Sequence, residues 1–178
     1  MRRTTAIVLP VLMLLGCSTK FISSGEVSPG FDRDRSYKVA IMPLTVRGLL
    51  TPSYFARDKA YDHLLRTLMK TRKLQLMDKY TVEQQVKLEE FGSEGGVDPF
   101  RSRKVGKKIG ADLVVIAECV FEEEAPEVIL NTSVEVLDVN TTMQVYSGSA
   151  RTVNPASTLA AAEAGLDLAT DALVKKMK

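Results

Sequence analysis

Apolar residues fall in short blocks along this chain, and the spacing inside each block separates strand from helix. The run from Tyr37 to Leu44 holds Val39, Ala40, Ile41, Met42 and Leu44, which predicts a strand buried on both faces with Pro43 at its end. A loop from Thr45 to Thr51 leads to Pro52, suited to a first helical turn. Tyr61, Leu64, Leu65, Leu68 and Met69 then recur at helical spacing, so a helix is expected over Pro52 to Thr71. Leu74, Leu76 and Met77 form a second, short strand. Thr81 with Gln84 makes a capping-box pattern that opens a helix to about Phe91, closed by the loop Gly92 to Val97. Asp98 followed by Pro99 starts another helix, which runs to Ile109 and stops at Gly110. The most apolar strand follows, Ala111 to Phe121.

Beyond it the pattern changes. Val128, Leu130, Val134 and Val136 alternate with Ile129, Asn131, Ser133 and Glu135, a strand with a partly polar second face and hence antiparallel character. After the turn Asp138 to Thr142, Met143 to Val153 pairs behind it as a hairpin. A last helix from about Ala156 sets Leu159, Ala162, Leu166, Ala169, Leu173 and Met177 along one face. The order is βαβααβββα. Helices between the early strands favour right-handed crossovers and parallel pairing, so the fold class is an α/β domain of two or three layers. Its mixed β-sheet has a parallel part plus an antiparallel meander and is flanked by helices.

The amino terminus is organised differently. Arg2 and Arg3 precede an apolar stretch, Ala6 to Leu15, too short to span a bilayer as a helix, which is the pattern of a secretory signal. The stretch ends Leu14-Leu15-Gly16-Cys17 and resembles the lipobox of bacterial lipoproteins, in which a thiol stands at the cleavage edge behind a small residue. The resemblance implies removal of residues 1–16 as signal peptide and an N-acyl diacylglyceryl lipid, palmitate or its like, on Cys17. More than one acyl chain is enough to hold a protein at a membrane. Ser18 stands where an aspartate would retain the protein at the inner membrane, so the expected address is the cell outer membrane with the domain in the periplasm. Residues 17–36 read as lipidated cysteine and flexible tether, rich in Ser, Gly, Asp and Arg. Its 18 residues from Thr19 to Ser36 reach roughly 60 Å at most.

Charge narrows the partners. Of 24 Lys and Arg, Arg2 and Arg3 leave with the signal, so 22 basic residues face 22 acidic ones in the mature chain. A neutral balance offers no footprint for nucleic acid, whose affinity comes from neutralised phosphates. The 162 residues that remain of 178 suit one domain, over residues 37–178. Cys119, the only other thiol, lies in an apolar run and reads as a core residue, leaving no intramolecular disulfide once Cys17 carries lipid.

Three segments carry a family resemblance: Tyr37-Lys-Val-Ala-Ile-Met-Pro-Leu44 with the helix after it, Leu76-Met-Asp-Lys-Tyr-Thr-Val-Glu-Gln84, and Val105-Gly-Lys-Lys-Ile-Gly-Ala-Asp-Leu-Val-Val115. From Tyr37 to the end the chain is similar to the periplasmic core of the curli-secretion subunit CsgG and its relatives. These include the ring-forming exopolysaccharide lipoprotein PelC, the peptidoglycan-synthase activator LpoB and the amino-terminal domain of TolB. The resemblance implies a homo-oligomeric, non-enzymatic accessory protein of an envelope secretion, transport or assembly system. The alternative is an LpoB-like module that activates a peptidoglycan synthase, and the short tether argues against it. The chain departs from the channel at the barrel: no spare pair of amphipathic strands of about nine to eleven residues is present. It departs from PelC in having no Trp with which to seat a ring in the membrane.

Two clusters are candidates for function. Glu122, Glu123, Glu124 and Glu127 lie in the connection to the next strand, as an acidic funnel for a basic polymer or partner in a ring, or as a solvated loop tip that blunts an edge. Leu49, Leu50, Tyr54 and Phe55 lie where the curli channel carries its constriction, either lining a pore or subunit contact or covering the sheet edge. Catalysis finds little support. His63 is the only histidine and has no metal-ligand spacing around it, Gly92-Ser-Glu-Gly-Gly96 lacks the lysine of a phosphate loop, and no serine sits in a nucleophile elbow. No enzyme, metal or cofactor other than the covalent lipid is expected. The sequons at Asn131 and Asn140 are out of context behind a bacterial lipobox.

Overall fold

A computed structural model describes residues 20–48, 54–89, 98–124, 127–153 and 157–178. The strands among them are β1 (Lys20–Val27), β2 (Tyr37–Ile41), β3 (Thr45–Gly48), β4 (Leu74–Leu76), β5 (Leu113–Glu124), β6 (Glu127–Asp138) and β7 (Gln144–Val153). The helices are α1 (Tyr54–Met69), α2 (Lys79–Leu88), α3 (Pro99–Ile109) and α4 (Thr158–Lys176). The sheet runs β1-β7-β6-β5-β2-β4, with β3 beside the far half of β5. β2 pairs parallel with β4 and β5, while β5, β6, β7 and β1 are antiparallel in turn. The expected mixed α/β sheet is present. Its order βαβααβββα stands with two strands added, β1 and β3.

Two cores explain the apolar blocks. Val39 and Ile41 face α1 and α4 with Leu64, Leu68, Leu130, Val134 and Leu166, whereas Ala40 and Met42 face α2 and α3 with Val82, Val105 and Val114. β2 is therefore buried on both faces, as a strand between two helix layers must be. α4 covers one face of β1, β7 and β6, and the opposite face of those strands is polar apart from exposed Ile22 and buried Ile129. On it Asn131, Ser133 and Glu135 are half-buried and Ser24, Ser147, Ser149 and Arg151 exposed. No helix among the described residues is long and apolar enough to cross a membrane.

Local chemistry sets the boundaries. Asp98 caps α3 by accepting from the Phe100 N–H at 3.0 Å, Pro99 opens it, and Gly110 ends it at φ 74°. Asp112 then ties the sheet together: its carboxylate accepts from the Lys38 N–H at 2.8 Å and from Arg35 Nη2 at 3.0 Å, its N–H donates to Lys38, and its carbonyl accepts from Val139. The Gly-Ala-Asp that carried part of the resemblance thus has a structural task. One cap differs from expectation. α2 starts at Lys79 because Asp78, not Thr81, is its cap and accepts from the Thr81 N–H at 2.9 Å.

Two larger corrections follow from pairing. The stretch expected as a flexible tether contains β1, which pairs with β7 from Lys20↔Val153 to Val27↔Tyr146. Residues 28–36 are also fixed: Ser28 donates to Val145, and Phe31 is buried in a stack on Tyr37, with ring centroids 4.9 Å apart. The loop expected after β2 contains β3, parallel to β5 from Thr45↔Glu118 to Gly48↔Phe121.

Candidate functional site

The site is one end of the sheet. β5 and β6 are each 12 residues long and stay paired as far as Glu124↔Glu127, so Glu122, Glu123 and Glu124 belong to a strand and not to the expected connection. Glu122 sits opposite Ile129 and Glu123 opposite Val128, which places the two carboxylates on opposite faces of the ribbon. Both are exposed, as is Glu127. Glu122 accepts from Asn131 Nδ2 at 2.8 Å, the one fixed partner described for this acidic tip.

Neighbouring strands reach the same level. Reading across the sheet, Lys20 pairs with Val153, Val153 with Ile129 and Ile129 with Glu122, so β1 begins where the hairpin tip projects. β3 ends there too. Its Gly48 lies against Phe121 at φ 109°, and a Cβ at that position would come within 1.9 Å of the Phe121 carbonyl oxygen. Only glycine allows this approach. The chain leaving β3 therefore departs from the acidic end. Leu49 and Leu50 lie outside the described residues, and the backbone of Tyr54 and Phe55 forms the start of α1.

One step up on the polar face, Ile22, Arg151, Asn131, Val120 and Arg47 form a cross-strand row, followed by Ser24, Ser149, Ser133, Glu118 and Thr45. Ser24 and Ser149 share a hydroxyl hydrogen bond of 2.9 Å, and Arg47 is ion-paired to Glu118. A shallow depression of about 240 Å³ lies over these rows, lined by Ile22, Ser24, Asn131, Ser133, Ser149 and Arg151. It holds hydroxyls, an amide and a guanidinium beside the apolar Ile22, Val120 and Ala150.

At the opposite end of the sheet a helix gathers basic residues beside Asp98, Asp112 and Asp138. α3 carries Arg101, Arg103, Lys104, Lys107 and Lys108, and it packs through Val105 and Gly106 near Val114 and Val139. Lys104 and Lys108 both pair with Glu89, and these hydrogen bonds hold its carboxyl down at about 2.

The reactive side chains have structural settings. Cys119 is buried, and burial pushes its thiol up to about 11, which makes it a core residue as expected. His63 is partly buried between α1 and α4. Its Nε2 lies 3.0 Å from Asp167 Oδ1, in ion-pair range but outside hydrogen-bond geometry, and Asp167 accepts from Thr67 Oγ1 at 2.8 Å. Sequence spacing around His63 gave no sign of this carboxylate, which comes from a helix about a hundred residues away. Among the described residues no group of His, Cys, Asp and Glu is placed to hold a metal ion.

These features define a class, a mixed-sheet α/β domain with a core on each side of β2, one largely polar sheet face and a projecting acidic hairpin. No protein-family model matches the chain, and a comparison with curated protein sequences gives no match. Solved structures do share the fold. The PelC dodecamer from Paraburkholderia phytofirmans is similar at 15% identity and a TM-score of 0.51, over 86% of this chain and 97% of that one. The NMR structure of E. coli LpoB is similar at 12% identity and a TM-score of 0.51, over 66% of this chain and 57% of that one.

Proposed function

We propose that this chain is a non-catalytic, outer-membrane-anchored periplasmic lipoprotein that assembles into a ring, as an accessory component of an envelope export or assembly system for polysaccharide or protein. The carrying observation is convergence. The start of β1 at Lys20, the end of β3 at Gly48 and the acidic hairpin occupy one end of the sheet, so a lipid carried three residues before Lys20 would be tied to the same end as the carboxylates. Copies arranged about a common axis would present Glu122, Glu123, Glu124 and Glu127 as a collar of negative potential, suited to guiding a cationic polymer or a basic partner.

Similarity to PelC over nearly the whole of that chain, in a structure that is a dodecamer, supports an assembly of copies over a single tethered module. The regulatory alternative needs an arm that crosses the wall, and β1 removes most of the length available for one. The test is the mass of the complex extracted from membranes in mild detergent with lipid intact, by light scattering coupled to size exclusion. A closed assembly of many copies is expected. A single-copy mass at every accessible concentration would refute the ring.

A further inference from the structure

We infer that the hairpin end of the sheet is the surface this protein turns to the bilayer, and that the domain stands directly on the membrane with no arm between. The inference rests on the reading of Cys17 as the lipidated residue. Lys20 is already a strand residue, paired with Val153. Three residue steps separate it from Cys17, and they span about 11 Å at full stretch. β1 runs away from that point, so the row Lys20, Val153, Ile129 and Glu122 is the part of the sheet nearest the anchor. Beyond this row the hairpin continues through Glu123↔Val128 and Glu124↔Glu127, about 7 Å further in the same direction. Three extended steps can cover that distance, so an acyl chain on Cys17 can enter the bilayer while the hairpin tip rests among the headgroups.

The chemistry of the tip limits how far it goes. Glu123 and Glu127 are exposed, and carboxylates are costly in hydrocarbon, so the hairpin stops at the hydrated boundary and the acyl chains alone enter the bilayer. The far turn after β6, with exposed Asn140, lies about 40 Å higher, the length of a 12-residue strand. α3 and its basic residues share that upper end. The partner below the hairpin is thus the lipid headgroup layer, met because the link to Cys17 is short and not by charge attraction, and the end that carries α3 is held out towards the envelope space.

The test places a fluorophore on Glu123→Cys and, separately, on Asn140→Cys in the acylated full chain, leaving buried Cys119 in place. Each is reconstituted into phosphatidylethanolamine and phosphatidylglycerol vesicles doped with a headgroup-quencher lipid. The label at 123 is expected to be quenched and the label at 140 not. Inserting a Gly/Ser spacer of about 30 residues after Thr19, with a mean span of about 30 Å, is expected to abolish the difference. Equal quenching at the two positions, or stronger quenching at 140, overturns the orientation while leaving the anchor intact. Mass spectrometry of the same sample separates the two: a Cys17 without acyl mass overturns the anchor reading itself.

Discussion

Gly148→Ala is the substitution that best tests how β1 and β7 are held. Gly25 and Gly148 are direct partners across these strands, and the Tyr146 side chain lies over both, with its hydroxyl donating to the Ala169 carbonyl of α4. An aromatic laid over paired glycines supplies the packing that glycine lacks. A Cβ on Gly148 would sit 1.9 Å from the Ala169 oxygen and 2.4 Å from the Tyr146 hydroxyl, against 3.4–4 Å for ordinary contact. The α4 backbone lies on one side and the ring of Tyr146 on the other, so α4 must lift by more than an ångström or the tyrosine must leave. Overpacking of this kind costs about 1–3 kcal/mol, and losing the buried hydroxyl's partner adds ~0.5–1.5. The sum, about 2–4 kcal/mol, lowers Tm by roughly 5–15 °C in a domain of this size. The assay is thermal unfolding by circular dichroism in detergent, beside Gly30→Ala, where no heavy atom lies within 4 Å of the added Cβ. Hydrogen exchange over 20–27 should rise with the first substitution alone. A Gly148→Ala protein that melts with the Gly30→Ala control, β1 still protected, would refute the close approach.

Three further outcomes follow from other contacts. Glu89→Gln should lower Tm at neutral pH, because Lys104 and Lys108 favour the ionised carboxylate; with a folded pKa of about 2 against an ordinary 4.5, this contribution is present above pH 4.5 and is lost as pH falls towards 2, so the Tm profiles of wild type and variant converge there. The Cys119 thiol, raised to about 11 by burial, should resist aromatic disulfide reagents at pH 8 in the native protein and react at once in denaturant; fast native labelling would place it outside the core. Gly48→Ala, at φ 109° and against the Phe121 carbonyl, should cost about 1–3 kcal/mol and raise hydrogen exchange in β3, leaving the β5–β6 ladder protected.

What the sequence revealed and what it hid have the same physical origin. β2, α3 and β6 carry their own signals: an apolar run, an Asp-Pro start with a glycine stop, and an alternation whose polar positions do lie on the uncovered face. β1 carries none. Its inward positions include Gly25, where Tyr146 of another strand provides the apolar surface, so Ser-Ser-Gly reads as linker when taken alone. β3 is four residues long and nowhere fully buried. The acidic segment was hidden in another way, because glutamate is depleted in strands and the pairing of Glu122 and Glu123 is imposed from across the ladder by Ile129 and Val128. The candidate clusters themselves were visible as residue types. The arrival of β1, the end of β3 and the acidic hairpin at one end of the sheet was not, since it depends on the register of β1, β3 and β5 and leaves no trace in linear spacing.

That register also decides between readings that composition left open. A tether of 18 residues would let the domain turn any face to a partner and wander tens of ångströms from its lipid. With β1 in the sheet and Phe31 stacked on Tyr37, the proposed lipid on Cys17 would leave only residues 18–19 between anchor and fold, and such a short link limits the height of the domain above the bilayer. A domain held in this way cannot search across a wall for its partner; the partner must come to the membrane, or other copies must gather around the same spot. Fixed height is what a collar requires, because carboxylates contributed by many copies add to one field only when they lie in one plane. An activator that works by reach would lose function under the same constraint. Lengthening the link is therefore expected to impair a collar and to be tolerated by an activator, which makes the spacer variant informative about function as well as orientation.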